Sequence, residues 1–332
     1  MDNKPQLFSI ILPVKNGGHL LKECVNSILS QHLTDFNLLV LDSNSTDDTV
    51  KYLESLNDNR IIIYKSEKDL SIVENWARIL TIQKNEFITL IGHDDILYPN
   101  YLQDISDLIE RYPDASLYQT RFNYIDANGV LIKACKPMAS RQTIDEFLGS
   151  QMNQTIDSMG TGYMMRSKDF DLVGGMPTNY PNLIFADYEL WMRLTQLFYK
   201  ATSDKFGFSY RVHNSVSKTT NGDAYAQAFQ TYLIFISTLL KNEKIKEAVE
   251  KYGYEFLIYF CQSLSHRILK TPFNKRKIRV DEFIKQCEEM AKVLIPNQSF
   301  EPLKIFKIKI AKVLDANNLT SNLFRRLKNI SS

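Results

Sequence analysis

Short runs of consecutive apolar residues alternate with segments of helical spacing along the first part of the chain. The apolar runs, which predict strands, are residues 7–14, 36–41, 61–64 and 87–91. The segments with apolar residues three or four apart, which predict helices, are residues 20–29, 46–56 and 72–82. Strands that are apolar at every position are typical of sheets covered by helices on both faces. The order therefore predicts an α/β fold, a Rossmann-like sandwich with a mostly parallel central sheet and right-handed crossovers.

The alternation continues beyond residue 99 and then gives way to helical spacing alone. A helix, a hairpin, a second helix and a further strand are predicted over residues 99–112, 116–133, 185–197 and 205–212. The hairpin turn is placed at Asn128-Gly129, a pair that favours tight turns. From about residue 224 onward the pattern is helical. We therefore expect an α/β domain over residues 1–220 and a helical C-terminal region over residues 221–332.

The composition is that of an ordinary globular protein, with 44% hydrophobic and 23% charged residues. A net charge of +2 argues against general nucleic-acid binding. Four cysteines form no CxxC or zinc-ribbon pattern and are expected to be buried reduced thiols: Cys24, Cys135, Cys261 and Cys287. The N-terminus shows no signal-peptide pattern, and no apolar stretch reaches about 18 residues. The expected location is the cytoplasm.

Polar residues end the first two predicted strands. The first strand runs into Lys15-Asn16-Gly17-Gly18, a turn that suits a nucleotide or phosphate but is also compatible with an ordinary strand-to-helix connection. It has neither the dinucleotide fingerprint nor the P-loop pattern. Asp42 ends the second strand, where its carboxylate could accept a hydrogen bond from a base or stabilise its own loop. Ligands of open α/β sheets bind at this edge.

The strongest signal is Gly92-His93-Asp94-Asp95, which directly follows a buried strand. Two adjacent carboxylates there need a compensating cation, because burying them unpaired is costly. A divalent metal with a phosphate-bearing substrate meets that need. The other interpretation is a capped start of the helix that follows Pro99.

Two later segments carry further candidates. Asp187 lies at a predicted helix start, where it could cap the helix or take the proton of an acceptor hydroxyl. Arg211 and His213 alternate along a predicted strand and so share a face. Together they suggest contact with a diphosphate and a metal.

Taken in order, these segments resemble the family-2 glycosyltransferases of the GT-A fold. The segments that carry the resemblance are residues 9–16, 27–31, 42–49, 92–95, 186–187 and 210–213. They correspond to the family's opening Pro-x-x-Asn strand, its Ser-Ile/Leu-x-x-Gln helix end, its Asp-rich second loop, its Asp-x-Asp-Asp, its Glu-Asp and its Tyr-Arg-x-His. The resemblance covers roughly residues 7–217, and six motifs in the family's order make it specific.

On the donor side, the resemblance implies a nucleotide pocket and its contacts. Pro13, Val14 and Asn16 would line the pocket, Asp42 would contact the base, and Asp69 would contact the nucleoside. The implied donor is a nucleotide sugar, and we expect it to be UDP-linked.

On the catalytic side, the resemblance implies a metal-dependent hexosyl transfer with inversion. Asp94 would bind Mg²⁺ or Mn²⁺ with Asp95 beside it, and His213 would assist at the metal or diphosphate, together with Arg211. Asp187 would be the catalytic base. The implied acceptor is a saccharide or polyprenyl-linked saccharide of bacterial surface polysaccharide, such as O-antigen or capsule.

Two positions depart from the family pattern. Gly92 replaces the first acid of Asp-x-Asp, and Ala186 replaces the Glu that precedes the base. These departures are the best support for the alternative function, a non-catalytic nucleotide-sugar-binding partner of another transferase. A nucleotidyltransferase ranks last, because the glycine- and lysine-rich activation motif is missing near the N-terminus.

The C-terminal tail is basic, with seven Lys and Arg against two acids from residue 301 onward. Leu303, Phe306, Ile310 and Leu314 fall on one helix face, with lysines at its flanks, whereas Ile305 and Ile308 interrupt the pattern. One interpretation is a membrane-surface helix, which would make the protein peripheral on the inner face of the plasma membrane. The other is a packed helix with solvated lysines.

Overall fold

The computed structural model describes residues 7–213 and 219–330, with the backbone alone for residues 323 and 326–330. Part of one motif, residues 214–217, and the tail side chains of Arg326 and Lys328 therefore lie outside the described residues. The strands are β1 Phe8–Val14, β2 Phe36–Asp42, β3 Ile61–Lys65, β4 Phe87–Leu90, β5 Ile96–Leu97, β6 Leu117–Ile125, β7 Leu131–Ala134, β8 Arg141–Gln142, β9 Tyr163–Arg166 and β10 Lys200–Arg211. The helices are α1 Gly18–Leu29, α2 Thr49–Ser55, α3 Ile72–Ala77, α4 Tyr101–Arg111, α5 Ile144–Met152, α6 Ser167–Leu172, α7 Ala186–Leu197, α8 Gly222–Leu239, α9 Glu243–Lys270, α10 Val280–Leu294, α11 Phe306–Leu314 and α12 Asn318–Ile330.

The chain groups into two compact units. The first runs to Phe147 and includes Thr155–Thr178 and Ala186–His213. The second contains Leu148–Gln154, Asn179–Phe185 and the helices from α8 onward. The division at residue 220 into separate domains stays a prediction.

The first unit is built on one sheet, whose strand order is β3-β2-β1-β4-β9-β6-β10-β5. Strands β1, β2, β3 and β4 are parallel neighbours, and β6 pairs parallel with β10. All residues of β1 and β4 are buried, as continuous apolar strands require. The predicted α/β fold with a mostly parallel central sheet is therefore confirmed.

The sheet contains one long-range insertion that the pattern did not indicate. Strand β9 lies between β4 and β6 and pairs antiparallel with both. The hairpin of β6 and β7 forms as predicted, and Gly129 takes the left-handed conformation in its turn with a φ of 82°. The helix predicted over 72–82 ends earlier, at Ala77, and a tighter turn at Arg78–Leu80 follows it.

The second unit is helical around an aromatic core. Side chains of α8, α9 and α10 meet there, with Phe229 stacked on Phe260 at 4.7 Å between ring centroids. Phe256 and Phe283 also contact Phe229. Asn221 and Asn242 cap α8 and α9 by accepting hydrogen bonds from backbone N–H groups of the first turn.

Two further expectations can be compared with the described chain. Cys24, Cys135, Cys261 and Cys287 are all free and buried, as predicted. Within residues 7–213 and 219–330, none of the helices combines the length and the hydropathy that a membrane crossing requires.

Candidate active site

The loops that follow β1 and β2 are bound to each other at the carboxyl edge of the sheet. Asn16 has a φ of 51°, a left-handed conformation that asparagine tolerates better than most residues. Its side-chain Oδ1 accepts a hydrogen bond from Thr46 N at 2.8 Å, and its own N–H donates to Ser45 Oγ at 2.9 Å. Asp42 is buried and accepts from Ser45 N at 3.2 Å. Both loops are thus held in a fixed shape beside the buried end of β1, where Val14 pairs with Asp42.

Asp69 joins these loops from the segment after β3. Its carboxylate lies 3.1 Å from Lys15 Nζ and accepts from Asn44 Nδ2 at 3.1 Å. Hydrogen bonds from these two side chains hold the pKa of Asp69 below its usual value. Because the group is largely exposed, it can be reached by a ligand without rearrangement of the core.

The acid pair follows β4, two strands away from Asp42. Asp94 Oδ2 lies 2.5 Å from Nε2 of His213, although 119 residues separate them in sequence. Asp95 is buried, and its carboxyl accepts hydrogen bonds from Arg211 N at 3.0 Å and from the Thr161 hydroxyl. Burial and the neighbouring Asp94 raise the pKa of Asp95 well above its usual value. The two acids therefore have different surroundings: Asp95 is locked inside, and Asp94 is partly exposed.

Asp187 lies in the first turn of α7, close to the segment that contacts Asp95. A Cβ added to Gly160 would lie 3.5 Å from Asp187 Oδ2, so the carboxylate packs against that backbone. Gly160 directly precedes Thr161, the hydrogen-bond partner of Asp95. Burial raises the pKa of Asp187 to about 6. The segment 158–162 thus brings the predicted base near the acid pair.

The wall behind Asp187 is aromatic and rigid. Trp191 stacks on Tyr163 with 4.3 Å between ring centroids and donates from Nε1 to Met159 O at 2.9 Å. Both aromatic side chains are fully buried. Trp191 is therefore part of the wall, and the segment 158–162 is anchored through it.

The match to a known family covers the strands and loops just described. The model described as "Glycosyl transferase family 2" matches residues 9–172. The chain belongs to glycosyl transferase family 2. The predicted resemblance is confirmed, and the match includes the loops after β1 and β2 and the acid pair of this family-2 chain.

Curated relatives are named as glycosyltransferases. An uncharacterized glycosyltransferase of Rickettsia conorii is 24% identical over 323 residues, which are 92% of this family-2 chain and 51% of that protein. Glycosyltransferase GlyG of Streptococcus pneumoniae is 25% identical over 126 residues, which are 37% of this chain and 42% of that protein. This family-2 chain thus spans about half the length of the first relative.

Solved structures confirm the GT-A-like fold. The structure of S. aureus TarS 1–349 in complex with UDP-GlcNAc superimposes with a TM-score of 0.64 at 14% identity. The alignment covers 96% of this family-2 chain and 92% of the TarS chain. A second TarS 1–349 structure gives a TM-score of 0.63 at 16% identity. At such identities, the likeness concerns the fold.

The Arg211 side chain is buried, whereas a residue that binds a diphosphate would face solvent. Its side chain is only 1% exposed, and Nε donates to the Asp94 carbonyl at 2.8 Å. One terminal nitrogen donates to Ala127 O at 3.1 Å, in the turn between β6 and β7, and the other to Glu23 Oε2 at 2.6 Å. Contact with a diphosphate stays a prediction, while the described contacts make Arg211 a brace between α1, the acid pair and the hairpin turn.

The two departures of this family-2 chain can be examined in space. A Cβ added to Gly92 would lie 2.6 Å from Asp94 Oδ1, so a side chain at position 92 would require the Asp94 carboxylate to move. Asp94 therefore occupies room that a side chain at position 92 would need. Ala186 is fully buried, one residue before the candidate base.

The residues fit a divalent metal as a partial site. Among the residues whose side chains are described, no group of three or more His, Cys, Asp or Glu is arranged to hold an ion. Asp94 Oδ2 and His213 Nε2 are hydrogen-bonded to each other at 2.5 Å, and an ion held by both would replace that contact. Mg²⁺ is usually bound by one or two carboxylates plus substrate phosphates, so a two-residue site suits a metal that arrives with a diphosphate.

Glu23 is the site residue that sequence reasoning missed, and it supports a prediction. We expect Glu23→Gln to lower the free energy of unfolding by about 1–2 kcal/mol, because the buried Arg211 loses its carboxylate while half-exposed Glu23 is screened by water. Chemical unfolding would measure this. Glu54→Gln is the matched control, since Glu54 forms an equally close but exposed pair with Lys65, worth less than about 0.5 kcal/mol. Equal losses in both variants would contradict the bracing role.

Proposed function

We propose that this chain is an inverting hexosyltransferase that moves a sugar from a UDP-linked donor to a hydroxyl group. The observation that carries the proposal is the convergence of Asp94, His213 and Asp187 through the segment 158–162. One side of that arrangement offers metal ligands, and the other a carboxylate with a raised pKa. A transferase that inverts needs these two functions on opposite sides of the sugar carbon.

The donor would be held at the first two loops. Pro13, Val14 and Asn16 lie at the end of β1, and the Asp42 carboxylate is buried next to them. The structure of TarS with UDP-GlcNAc, which shares the fold, supports a UDP-linked donor. Asp69, beside Lys15, is available to the nucleoside.

Asp94 and His213 would hold Mg²⁺ or Mn²⁺ together with the diphosphate. When bound, such an ion neutralises the negative charge that develops on the departing nucleoside diphosphate. Buried Asp95 orients the pair by accepting from the Arg211 backbone, and the Arg211 side chain fixes the Asp94 backbone. The protein thus supplies a rigid ligand pair.

Asp187 would act as the general base. Its carboxylate takes the proton of the acceptor hydroxyl while the acceptor oxygen bonds to the anomeric carbon. The bond from that carbon to the diphosphate oxygen breaks on the opposite face, which inverts the configuration. A pKa of about 6 suits a base at neutral pH, since the group is ionised yet more basic than an ordinary Asp.

The acceptor that we propose is a saccharide or a polyprenyl-linked saccharide of bacterial surface polysaccharide. Support for a bacterial acceptor comes from the bacterial origin of relatives such as the glycosyltransferase GlyG of Streptococcus pneumoniae. The chemistry of Asp187 requires only a nucleophilic hydroxyl near the segment 158–162.

A donor screen tests the proposed function. Thermal unfolding would be followed with UDP, UDP-hexoses and other nucleotide sugars, with and without Mn²⁺. A ligand at 100 times its dissociation constant stabilises by about 2.7 kcal/mol, so we expect a clear rise in Tm with UDP-sugars. Mass spectrometry of mixtures with added acceptors would then detect transfer or donor hydrolysis. Binding without any turnover over a broad acceptor set would favour the non-catalytic partner instead.

A further inference from the structure

Helix α11 of the second unit is apolar on two opposite faces. Its buried residues are Ile308 and Ala311, which point into the unit. At 100° per residue, Phe306, Ile310 and Val313 fall on the opposite side. Phe306 is 73% exposed and Val313 58% exposed. The outer face, defined here as Phe306, Ile310 and Val313, is thus an apolar surface in contact with solvent.

This arrangement corrects the predicted tail. Ile308, which interrupted the sequence pattern, is the residue that packs inward, whereas Phe306 and Ile310 lie on the opposite side of the helix. It begins only at Phe306, after a separate turn at Pro302–Lys304. Leu303 therefore does not continue the helical face.

Within the described residues, the charges around the outer face are two unpaired lysines and a paired group near Val313, where Lys312 binds Asp281. Lys307 and Lys309 lie on its two flanks and are exposed. Among the side chains that the structure describes, neither has an acidic partner within 4.0 Å. The two acids of the tail are already engaged: Glu301 pairs with Lys304, and buried Asp315 pairs with Arg276 and Arg279.

Two unpaired lysines, Lys307 and Lys309, beside an exposed apolar stripe define the chemistry of the partner. Single exposed apolar residues are normal on protein surfaces, but an i, i+4, i+7 stripe with large side chains is not. A purely apolar partner would leave the two flanking lysines without a negatively charged group to contact. An anionic lipid surface accepts both parts, since the apolar stripe enters the acyl boundary and the lysines meet the phosphate headgroups.

We propose that the outer face of α11 docks on an anionic lipid bilayer. Helix α11 would lie in the plane of the interface, with Ile308 and Ala311 retained in the core of the second unit. This inference does not depend on the proposed transferase function, because it concerns binding to lipid alone.

Vesicle flotation of the full chain tests the proposal. Vesicles of phosphatidylcholine alone would be compared with vesicles that also contain phosphatidylglycerol. We expect binding to the anionic vesicles only, and a decline as salt rises. Phe306→Ser with Val313→Ser should reduce the partition coefficient by about tenfold or more. Replacing Lys307 or Lys309 by Gln should reduce it by about fivefold each.

A matched control removes apolar side chains of similar exposure elsewhere in the second unit. Ile234 and Val293 are 57% and 51% exposed, on α8 and α10. Ile234→Ser with Val293→Ser should leave vesicle binding unchanged. Equal loss in the control pair, or full binding after the Phe306 and Val313 changes, would overturn the proposal. So would a dimer in light scattering that those two changes disperse, because the face would then bind a second copy of the chain.

Discussion

Replacing Asp187 with Asn is expected to lower the transfer rate by about 10²–10⁴-fold, the usual effect of losing a general base. Asparagine has nearly the same shape but cannot take the acceptor proton. The proposed donor loops at Asn16 and Asp42 are separate from α7, which carries Asp187, so the affinity for the UDP-sugar should stay unchanged. Single-turnover transfer and calorimetric donor binding would measure the two effects separately.

The raised pKa of Asp187 adds a pH signature to this prediction. With a pKa of about 6, wild-type kcat/KM should fall tenfold for each pH unit below 6, because the base becomes protonated.

The raised pKa of Asp187 also makes the stability of the folded protein depend on pH. A carboxyl whose pKa is higher in the folded than in the unfolded state stabilises fully only below its unfolded pKa, and this contribution is lost as pH rises through about 6.

At pH 8 the Asn variant should therefore be more stable than the wild type. We expect its free energy of unfolding to be about 1–2 kcal/mol higher, after allowance for solvent screening. Asp107→Asn serves as the control, since Asp107 is half-exposed on α4 and its replacement should change neither transfer nor stability. Wild-type turnover in the Asp187 variant, with the same acid limb in its pH profile, would show that another group is the base.

Replacing Asp94 with Asn should remove the metal dependence of donor binding. In the wild type we expect Mn²⁺ to strengthen UDP binding, because the proposed ion would be held by Asp94 and His213 together with the diphosphate. The neutral amide is a poor ligand for a hard cation. Loss of several kcal/mol of charge stabilisation at the departing diphosphate corresponds to a rate decrease of about 10³-fold.

Calorimetry with UDP, with and without Mn²⁺, measures the first effect, and initial transfer rates measure the second. His213→Gln should reproduce the loss of metal response, since His213 Nε2 lies against the same carboxylate oxygen. A variant at Asp94 that still binds UDP more tightly with Mn²⁺ than without it would place the ion elsewhere.

The sequence was sufficient to place the candidate site residues that lie at or directly after the end of a strand. Asp42 and Asp94 could be placed at one edge of the sheet because β2 and β4 are short, apolar and parallel, so that their carboxyl ends coincide. The order of the elements also led to the correct α/β class. Local pattern alone was enough for these features, because burial on both faces of a strand leaves a clear apolar run.

Contacts between distant segments could not be predicted in the same way. The pairing of His213 with Asp94 and the link from Glu23 to Arg211 depend on the position of β10 in the sheet, which no local periodicity encodes. Strand β9 has only four residues, and its insertion between β4 and β6 is a tertiary feature. The same limit explains α11, where spacing grouped Phe306 with Ile310 correctly but could not say which face is buried.

A crystal structure with UDP and Mn²⁺ tests the central claim most directly. The account predicts one anomalous manganese peak at about 2.0–2.3 Å from an Asp94 oxygen and a His213 nitrogen, joined to the diphosphate. The uracil should lie by Asp42, and Asp187 should face the open side of the donor. A manganese–UDP complex bound on another surface, with Asp94 and Asp187 both remote from it, would contradict the account.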